Sequence, residues 1–337
     1  MNNKIIGSLG ELKIIEKIEK LILKKTNKQL IFDDIFFSKL QREYFLNDLV
    51  INSDMFVSTT DAPEQMNYYQ MGRKSVLMNI SDLMAKGVKP KVIIISLGIP
   101  KDLSVYFFDQ LMEGIIDYCK KWNLDYIGGD INKTKELIIS PTVFGFKKAS
   151  EIIFRTGIQR GDILAINSKF GLTSVGFDIL LKLGGPLEQY SSYKKAILSV
   201  LEPIDPGIEG CILADNGLAT SSIDSSDGLA KSLRDLMQSN PQIGFEIICD
   251  DNLYDKEVIN YSKEYSVPLE RLIFEGGEEF IQIFTISINN FEKAQKKVRE
   301  GGGQLLKIGN VISDEKIFLK KNNNYIEIKS HGFEHFV

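Results

Sequence analysis

Apolar positions near the start of the chain recur at helical spacing. Leu12, Ile15, Ile18 and Ile22 fall on one side of a helix, with Glu11, Lys13, Glu16, Lys17 and Glu19 between them. The spacing predicts an amphipathic helix facing a core, and the interspersed charges argue against a signal peptide. From Leu49 the pattern switches between short β-branched or aromatic runs and longer helical stretches. Leu49 to Thr59 reads as a strand ending at Thr60-Asp61, Gly72 to Lys86 as a helix, and Lys91 to Leu97 as a buried strand. Leu103 to Trp122 reads as a long helix, and Asp125-Tyr126-Ile127 as a short strand running into Gly128-Gly129-Asp130. Leu137 to Lys147 is a further strand, which Pro141 places near an edge or at a bulge because proline cannot donate to a ladder.

The stretch Ala149 to Gly161 reads as a domain connection, leading into the turn signal Arg160-Gly161-Asp162 and the apolar run Ile163 to Ile166. Expected domains are therefore residues 1–148 and 149–337. In the second, helices are predicted at Ser174–Leu183, Ser191–Leu201, Gly207–Asn216, Asp227–Met237 and Asn290–Glu300. Strands are predicted at Gly244–Cys249, Phe280–Ile288 and Gln304–Val311. Gly301-Gly302-Gly303 follows a helix and reads as its stop, since a phosphate loop would precede one. Strands and helices mix without the regularity of a doubly wound sheet, so the expected fold class is α+β in two domains.

Composition narrows the function classes. In 337 residues, 41 basic and 45 acidic side chains give a net charge of −4, which opposes a broad nucleic-acid or anionic-membrane surface. No apolar run approaches the roughly 20 residues of a spanning helix. Three cysteines (Cys119, Cys211, Cys249) without a C-x-x-C pair point to a reduced, cytoplasmic setting and away from zinc or disulfides. The two histidines, His331 and His335, lie in the last seven residues, which disfavours a histidine-driven triad.

Neither G-x-x-x-x-G-K-S/T nor a strand-linked G-x-G-x-x-G occurs. Carboxylates stand instead where strands end, beside glycines or hydroxyls: Phe32-Asp33-Asp34, Ser58-Thr59-Thr60-Asp61, Asn79-Ile80-Ser81-Asp82, Gly128-Gly129-Asp130, Asp224-Ser225-Ser226-Asp227-Gly228 and Gly276-Gly277-Glu278-Glu279. Each alone is an ordinary turn or helix cap. Together they form six groups of hard oxygen donors, with almost no His or Cys to compete. Such donors suit Mg²⁺, which takes one or two carboxylates per ion plus substrate phosphates. The pattern points to a polyphosphate-handling Mg²⁺ enzyme.

In this order the groups resemble the thiamine-monophosphate kinase family, of the superfamily that includes aminoimidazole ribonucleotide synthetase. Asn79-Ile80-Ser81-Asp82-Leu83-Met84-Ala85-Lys86-Gly87 resembles the family's N-L/I-S-D-L-x-A-x-G signature, and Ile127-Gly128-Gly129-Asp130 its G-G-D. Ile223-Asp224-Ser225-Ser226-Asp227-Gly228-Leu229 resembles I-D-x-S-D-G-L, Gly276-Gly277-Glu278-Glu279-Phe280 resembles G-G-E-D-Y, and Gly332-Phe333-Glu334-His335-Phe336 the closing G-Y/F-D/E-H-F. The similarity runs from Gly10-Glu11-Leu12 to this last motif. It implies direct phosphoryl transfer from ATP to thiamine monophosphate, giving thiamine diphosphate and ADP. It implies Mg²⁺ ligands at Asp34, Thr59, Thr60, Asp61, Asp82, Asp130, Asp224 and Asp227, with Asp82, Asp130 and Asp227 at the catalytic centre. Gly129, Arg155 and Ser226 would contact ATP, and Tyr68, Glu278 and Phe333 the acceptor. It further implies a homodimer in which strands of two N-terminal domains close a barrel, and a sandwich-like α/β C-terminal domain.

The chain departs from the family on the acceptor side. Phe32 replaces a glycine, Tyr68 stands where a histidine is common, and Glu279-Phe280 replaces Asp-Tyr. An Arg- and Pro-rich segment has become Glu202-Pro203-Ile204-Asp205-Pro206. Two other readings therefore stand beside the first: a sister enzyme with a different small acceptor, and a non-catalytic ATP-binding paralogue.

Overall fold

The structure, a computed structural model, describes residues 4–30, 47–322 and 324–332. The expected positions Asp34 and Phe333 lie outside them. The chain forms two compact units, one from residues up to Leu83 together with Lys89–Ala149, the other from Met84–Val88 together with Ser150 onward.

The first unit opens with α1 (Glu11–Thr26), whose Ile14, Ile18 and Ile22 are buried. Next come β1 (Asp48–Ser53), β2 (Phe56–Val57), the short α2 (Ser58–Asp61) and α3 (Tyr68–Ala85). After them run β3 (Pro90–Pro100), α4 (Val105–Lys121), β4 (Asp125–Gly128), β5 (Ile131–Thr134) and β6 (Ile138–Lys147). The six strands make one sheet in the order β1-β6-β3-β4, with β2 also on β6 and β5 also on β3. Two glycines let α3 and α4 touch backbone to backbone. A Cβ at Gly72 would stand 2.3 Å from the Leu111 carbonyl oxygen, and one at Gly114 would stand 2.1 Å from that of Tyr69. Helix α1 is tied to α4 by Lys17–Asp109 and Lys25–Asp117.

The single strand expected over Leu49–Thr59 is broken. Ser53 pairs with Thr142 and Phe56 with Ile139, so the register is continuous and only Asp54-Met55 drops out. Extending that register puts Asp54 opposite Pro141, which has no N–H to offer. Pro141 is accordingly neither at a sheet edge nor in a bulge of its own strand. It lies within the interior strand β6, at a gap in the neighbouring strand. Ser58 to Asp61 then turns into a helix, so Thr59 does not end a strand.

The second unit contains β7 (Ile163–Ile166), α5 (Leu172–Phe177), α6 (Lys194–Leu201), α7 (Glu209–Asp215), β8 (Ser221–Ser225), α8 (Leu229–Ser239) and β9 (Gly244–Ile248). It continues with α9 (Lys256–Glu264), α10 (Leu269–Phe274), β10 (Ile281–Ile286), α11 (Phe291–Glu300), β11 (Leu306–Ile312), β12 (Ile317–Lys321) and β13 (Asn324–Glu327). Its seven strands order as β13-β12-β9-β11-β7-β10-β8. Both faces are covered, which is why β7 and β10 are buried at every position without alternation. Leu164 and Ile166 face a core with Leu229, Leu233 and Leu236 of α8. Ile163 and Ala165 face another with Leu213 and Ala214 of α7 and Phe291, Ala294 and Val298 of α11. Gly301 caps α11, so the triple glycine is a helix stop. The mixed α+β class thus holds, with one sheet per unit, and no closed barrel forms among the described residues.

Candidate active site

In the first unit the interruption at Asp54 is held open from α3. Buried Asn79 accepts the Asp54 N–H at 2.8 Å through its Oδ1 and donates to the Asp54 carbonyl at 3.2 Å. One turn on, Asp82 shares a donor with Asp54: Asn52 Nδ2 lies 2.8 Å from Asp82 Oδ2 and 3.1 Å from Asp54 Oδ2. Two carboxylates are thereby drawn to one amide, and neither Asp54 nor Asn52 was singled out from the sequence. The signal was present, since Ser53-Asp54 is a carboxylate beside a hydroxyl, but it lay inside what reads as unbroken strand.

Asp130 sits at a matching interruption. Strands β4 and β5 both run parallel to β3; after a register shift between Ile93 and Ile94, Ile94 pairs with Gly128 and Leu97 with Ile131 at the same offset, and Gly129-Asp130 bridges them. The Leu97 N–H donates to the Asp130 carbonyl at 2.8 Å, and the residue is exposed. Gly129 has no alternative, because a Cβ there would stand 1.8 Å from the Ile95 carbonyl oxygen. In the extended register Asp54, Pro141, Ile95 and Gly129 share one row. Three strand spacings of about 4.8 Å then put Asp54 and Gly129-Asp130 roughly 14 Å apart across the sheet.

The neighbouring threonines and Asp61 are locally engaged. Asp61 Oδ2 accepts the Val57 N–H at 2.6 Å, and its Oδ1 accepts Thr60 Oγ1 at 3.0 Å. Thr59 donates to Glu136. Tyr68 begins α3, stacked on Phe107 with ring centroids 4.8 Å apart. Its phenol is pushed up by burial and by nearby Asp102. Fourteen helical residues separate it from Asp82, about 21 Å along the axis, so α3 does not bring the two together.

In the second unit, Asp224 is buried one residue before the end of β8, with Ser226 and Asp227 following before α8. The Gly276–Phe280 segment is clamped onto this turn, Glu278 N–H to Ser226 O at 2.5 Å and Phe280 N–H to Ser225 O at 2.8 Å. Glu278 and Phe280 take φ of 59° and 51°, a left-handed conformation that costs non-glycine residues about 1 kcal/mol or more each. Asp224, Ser226, Asp227 and Glu278 are therefore brought to one place by backbone. Arg155 is held elsewhere in this unit: its guanidinium is 3.7 Å from Asp235, which lies six residues or about 9 Å along α8 from the start of that helix at Leu229. Ser225 is fully buried, and its Oγ has no partner among the described residues. An unsatisfied buried hydroxyl costs about 1–3 kcal/mol, so Ser225→Ala should stabilise the chain by about 1 kcal/mol, read as a higher urea midpoint at unchanged slope.

The donor set fits a hard cation. All candidates are oxygen donors, and the Asp54–Asp82 pair supplies the two carboxylates that one Mg²⁺ commonly takes. Among the described residues, no three Asp, Glu, His or Cys side chains are preassembled as a metal cage. No described helix is long and apolar enough to cross a membrane.

A family model for AIR synthase related protein, N-terminal domain, matches residues 44–146. A thiamine-monophosphate kinase from Nitrosopumilus maritimus is 28% identical over 332 residues, covering 98% of this chain and 100% of the relative. Among solved structures, thiamine-monophosphate kinase from Stenotrophomonas maltophilia superposes with a TM-score of 0.79 at 19% identity, over 93% of this chain and 97% of that one. AaThiL complexed with AMPPCP and TMP superposes with a TM-score of 0.73 at 24% identity over 100% of both chains. At these identities the structural likeness establishes the fold.

Proposed function

From a chain that resembles the thiamine-monophosphate kinases over nearly its whole length, we infer an ATP-dependent kinase that converts thiamine monophosphate to thiamine diphosphate. The observation that carries this reading is the end-to-end similarity, together with carboxylates kept at each motif. A phosphate oxygen of the acceptor attacks the γ-phosphorus of ATP in line, a P–O bond forms, and the bond to ADP breaks. Mg²⁺, when bound, would supply neutralisation of the phosphate charges. Asp54 and Asp82 would hold one such ion, and Asp130, roughly 14 Å away across the sheet by strand spacing, would hold another. Asp224 and Asp227 serve the phosphates from the second unit. We put Asp54 in the place first given to Asp61, whose oxygens are engaged within α2. Ser226 and Gly129 contact ATP and Glu278 the acceptor. Arg155, held at Asp235 here, reaches nucleotide only by leaving that partner.

The sister-enzyme reading is kept alive by the Glu202–Pro206 segment and by Glu279-Phe280. Assay of the protein with ATP, Mg²⁺ and a panel of phosphorylated and amide acceptors separates the readings. Thiamine monophosphate should give the highest kcat/KM. Faster turnover of another acceptor favours the sister enzyme, and ATP binding without ADP formation favours the paralogue.

A sheet face left uncovered among the described residues supports a homodimer. Leu49, Ile51 and Met55 are 54%, 53% and 57% exposed. They alternate on one face of β1 and its extension, with Ile51 opposite half-buried Phe144. A second copy that buries this face would close the barrel that the described residues of one chain do not form. The 38.1 kDa chain should elute at twice its mass by light scattering, and Ile51→Lys should give the monomer. A monomeric wild type at micromolar concentration contradicts the dimer.

A further inference from the structure

The 276–280 segment holds two left-handed non-glycine residues, and such strain persists only where the surroundings over-determine it. On one side the 225–228 turn fixes it by backbone hydrogen bonds. On the other side lies α5, with three ties. Glu279 accepts the Gly171 N–H at 2.7 Å and Thr173 Oγ1 at 3.0 Å. Gly276 lies directly on Ser174, since a Cβ there would stand 2.3 Å from Ser174 Oγ. One helical turn beyond Ser174, Arg271 Nη2 donates to both oxygens of Asp178, at 2.7 and 2.8 Å.

Phosphoryl transfer as described makes no use of this third tie. Asp178 is 5% exposed and opens the stretch Asp178–Leu183, where the helix widens to π turns. A carboxylate so buried is held charged by its partners, here Arg271 and, at 2.6 Å, Lys182 from the next turn. Arg271 belongs to α10, whose six residues are too few to keep a helix in place unaided. The Arg271 carbonyl accepts the Glu275 N–H at 3.1 Å, which caps α10 immediately before Gly276. The ion pair therefore sets where α10 ends and the strained segment begins, while Glu279 anchors its far end. We propose that Arg271 and Asp178 are positioning residues for Glu278: their ion pair seats α10 on the α5 helix and so holds Glu278 against the 224–227 turn. Only the acceptor contact of Glu278 rests on the kinase reading; the seating of the segment stands apart from it.

Arg271→Gln removes the tie and leaves Lys182 beside the carboxylate, and Asp178→Asn removes the charge from the other side. Hydrogen exchange of the full chain is followed by mass spectrometry on peptides covering 275–281 and 282–286. In both variants the amides of Glu278 and Phe280, bonded to the Ser226 and Ser225 carbonyls, should exchange about tenfold faster, with the β10 amides at wild-type rates. In the kinase assay the KM for thiamine monophosphate should rise about tenfold and the KM for ATP should hold. The double variant should match the single ones, because the two residues act as one unit. Arg271→Lys, which keeps the charge, should recover part of the loss. Unchanged exchange at Glu278 and Phe280, faster exchange spread evenly over both peptides, or an equal rise in both KM values overturns the proposal. A wild type that forms no thiamine diphosphate removes the kinase reading, and the exchange rates alone then decide whether the pair seats Glu278.

Discussion

Asp82→Asn should lower thiamine diphosphate formation by about a thousandfold, the scale on which lost charge stabilisation at a reacting phosphate is felt. The variant should melt at the wild-type temperature or slightly above it. The carboxylates of Asp54 and Asp82 are drawn to the same Asn52 amide, and neutralising one relieves their repulsion. Asparagine at position 82 keeps an oxygen for Asn52 Nδ2 and changes volume little. A residue retained for the fold would show the reverse pattern, a lower melting temperature with activity scaling to the folded fraction. Asp54→Asn should behave as Asp82→Asn does, although the sequence alone did not distinguish it. Asp61→Asn should cost less than tenfold, because that carboxylate closes α2 through Val57 and Thr60. Parallel kinetics and thermal melts of the three variants decide the matter. Full activity in Asp82→Asn removes the metal account.

Gly129→Ala should destabilise the chain by about 3 kcal/mol or more, the range of severe overpacking. The added methyl would meet the Ile95 carbonyl oxygen at 1.8 Å and its carbon at 2.5 Å, both backbone atoms of the interior strand β3. Relief requires β4 and β5 to move off β3, taking Asp130 with them. Gly128→Ala is the control: nothing lies within 4 Å of its Cβ, so only the positive φ of 144° opposes it, at about 1 kcal/mol. Chemical denaturation of both variants should separate them by at least 2 kcal/mol. Equal stability would mean that the β4–β5 turn is not seated on Ile95.

Periodicity and apolar runs were enough to place α1, α3, α4, α11 and the central strands of both sheets, because each presents one stripe or one run to a core. The strands β5, β12 and β13 were not legible, and neither were two further features. Helices α9 and α10 escaped because Lys256–Glu264 and Leu269–Phe274 are short and take their apolar positions from contacts distant in sequence. The gap at Asp54 escaped because its cause, Pro141, lies 87 residues away and acts only after the strands pair. The same gap explains why Ser58–Asp61 was the wrong place to end the strand, and why the carboxylate nearest Asp82 was overlooked. By contrast Asp224, Ser226 and Asp227 already share one motif in the sequence, and it is the Gly276–Phe280 segment, clamped onto their turn by backbone hydrogen bonds, that adds Glu278 to them. Tyr68 shows the limit of reading by offset alone, because a continuous helix carries it far from Asp82.

The most direct measurement is the fate of the γ-phosphate. The purified chain is incubated with γ-labelled ATP, Mg²⁺ and thiamine monophosphate, and the products are separated. The account predicts label in thiamine diphosphate, one equivalent per ADP formed, with no product under EDTA. Label released only as inorganic phosphate, or ATP left intact in the presence of thiamine monophosphate and Mg²⁺, would contradict it.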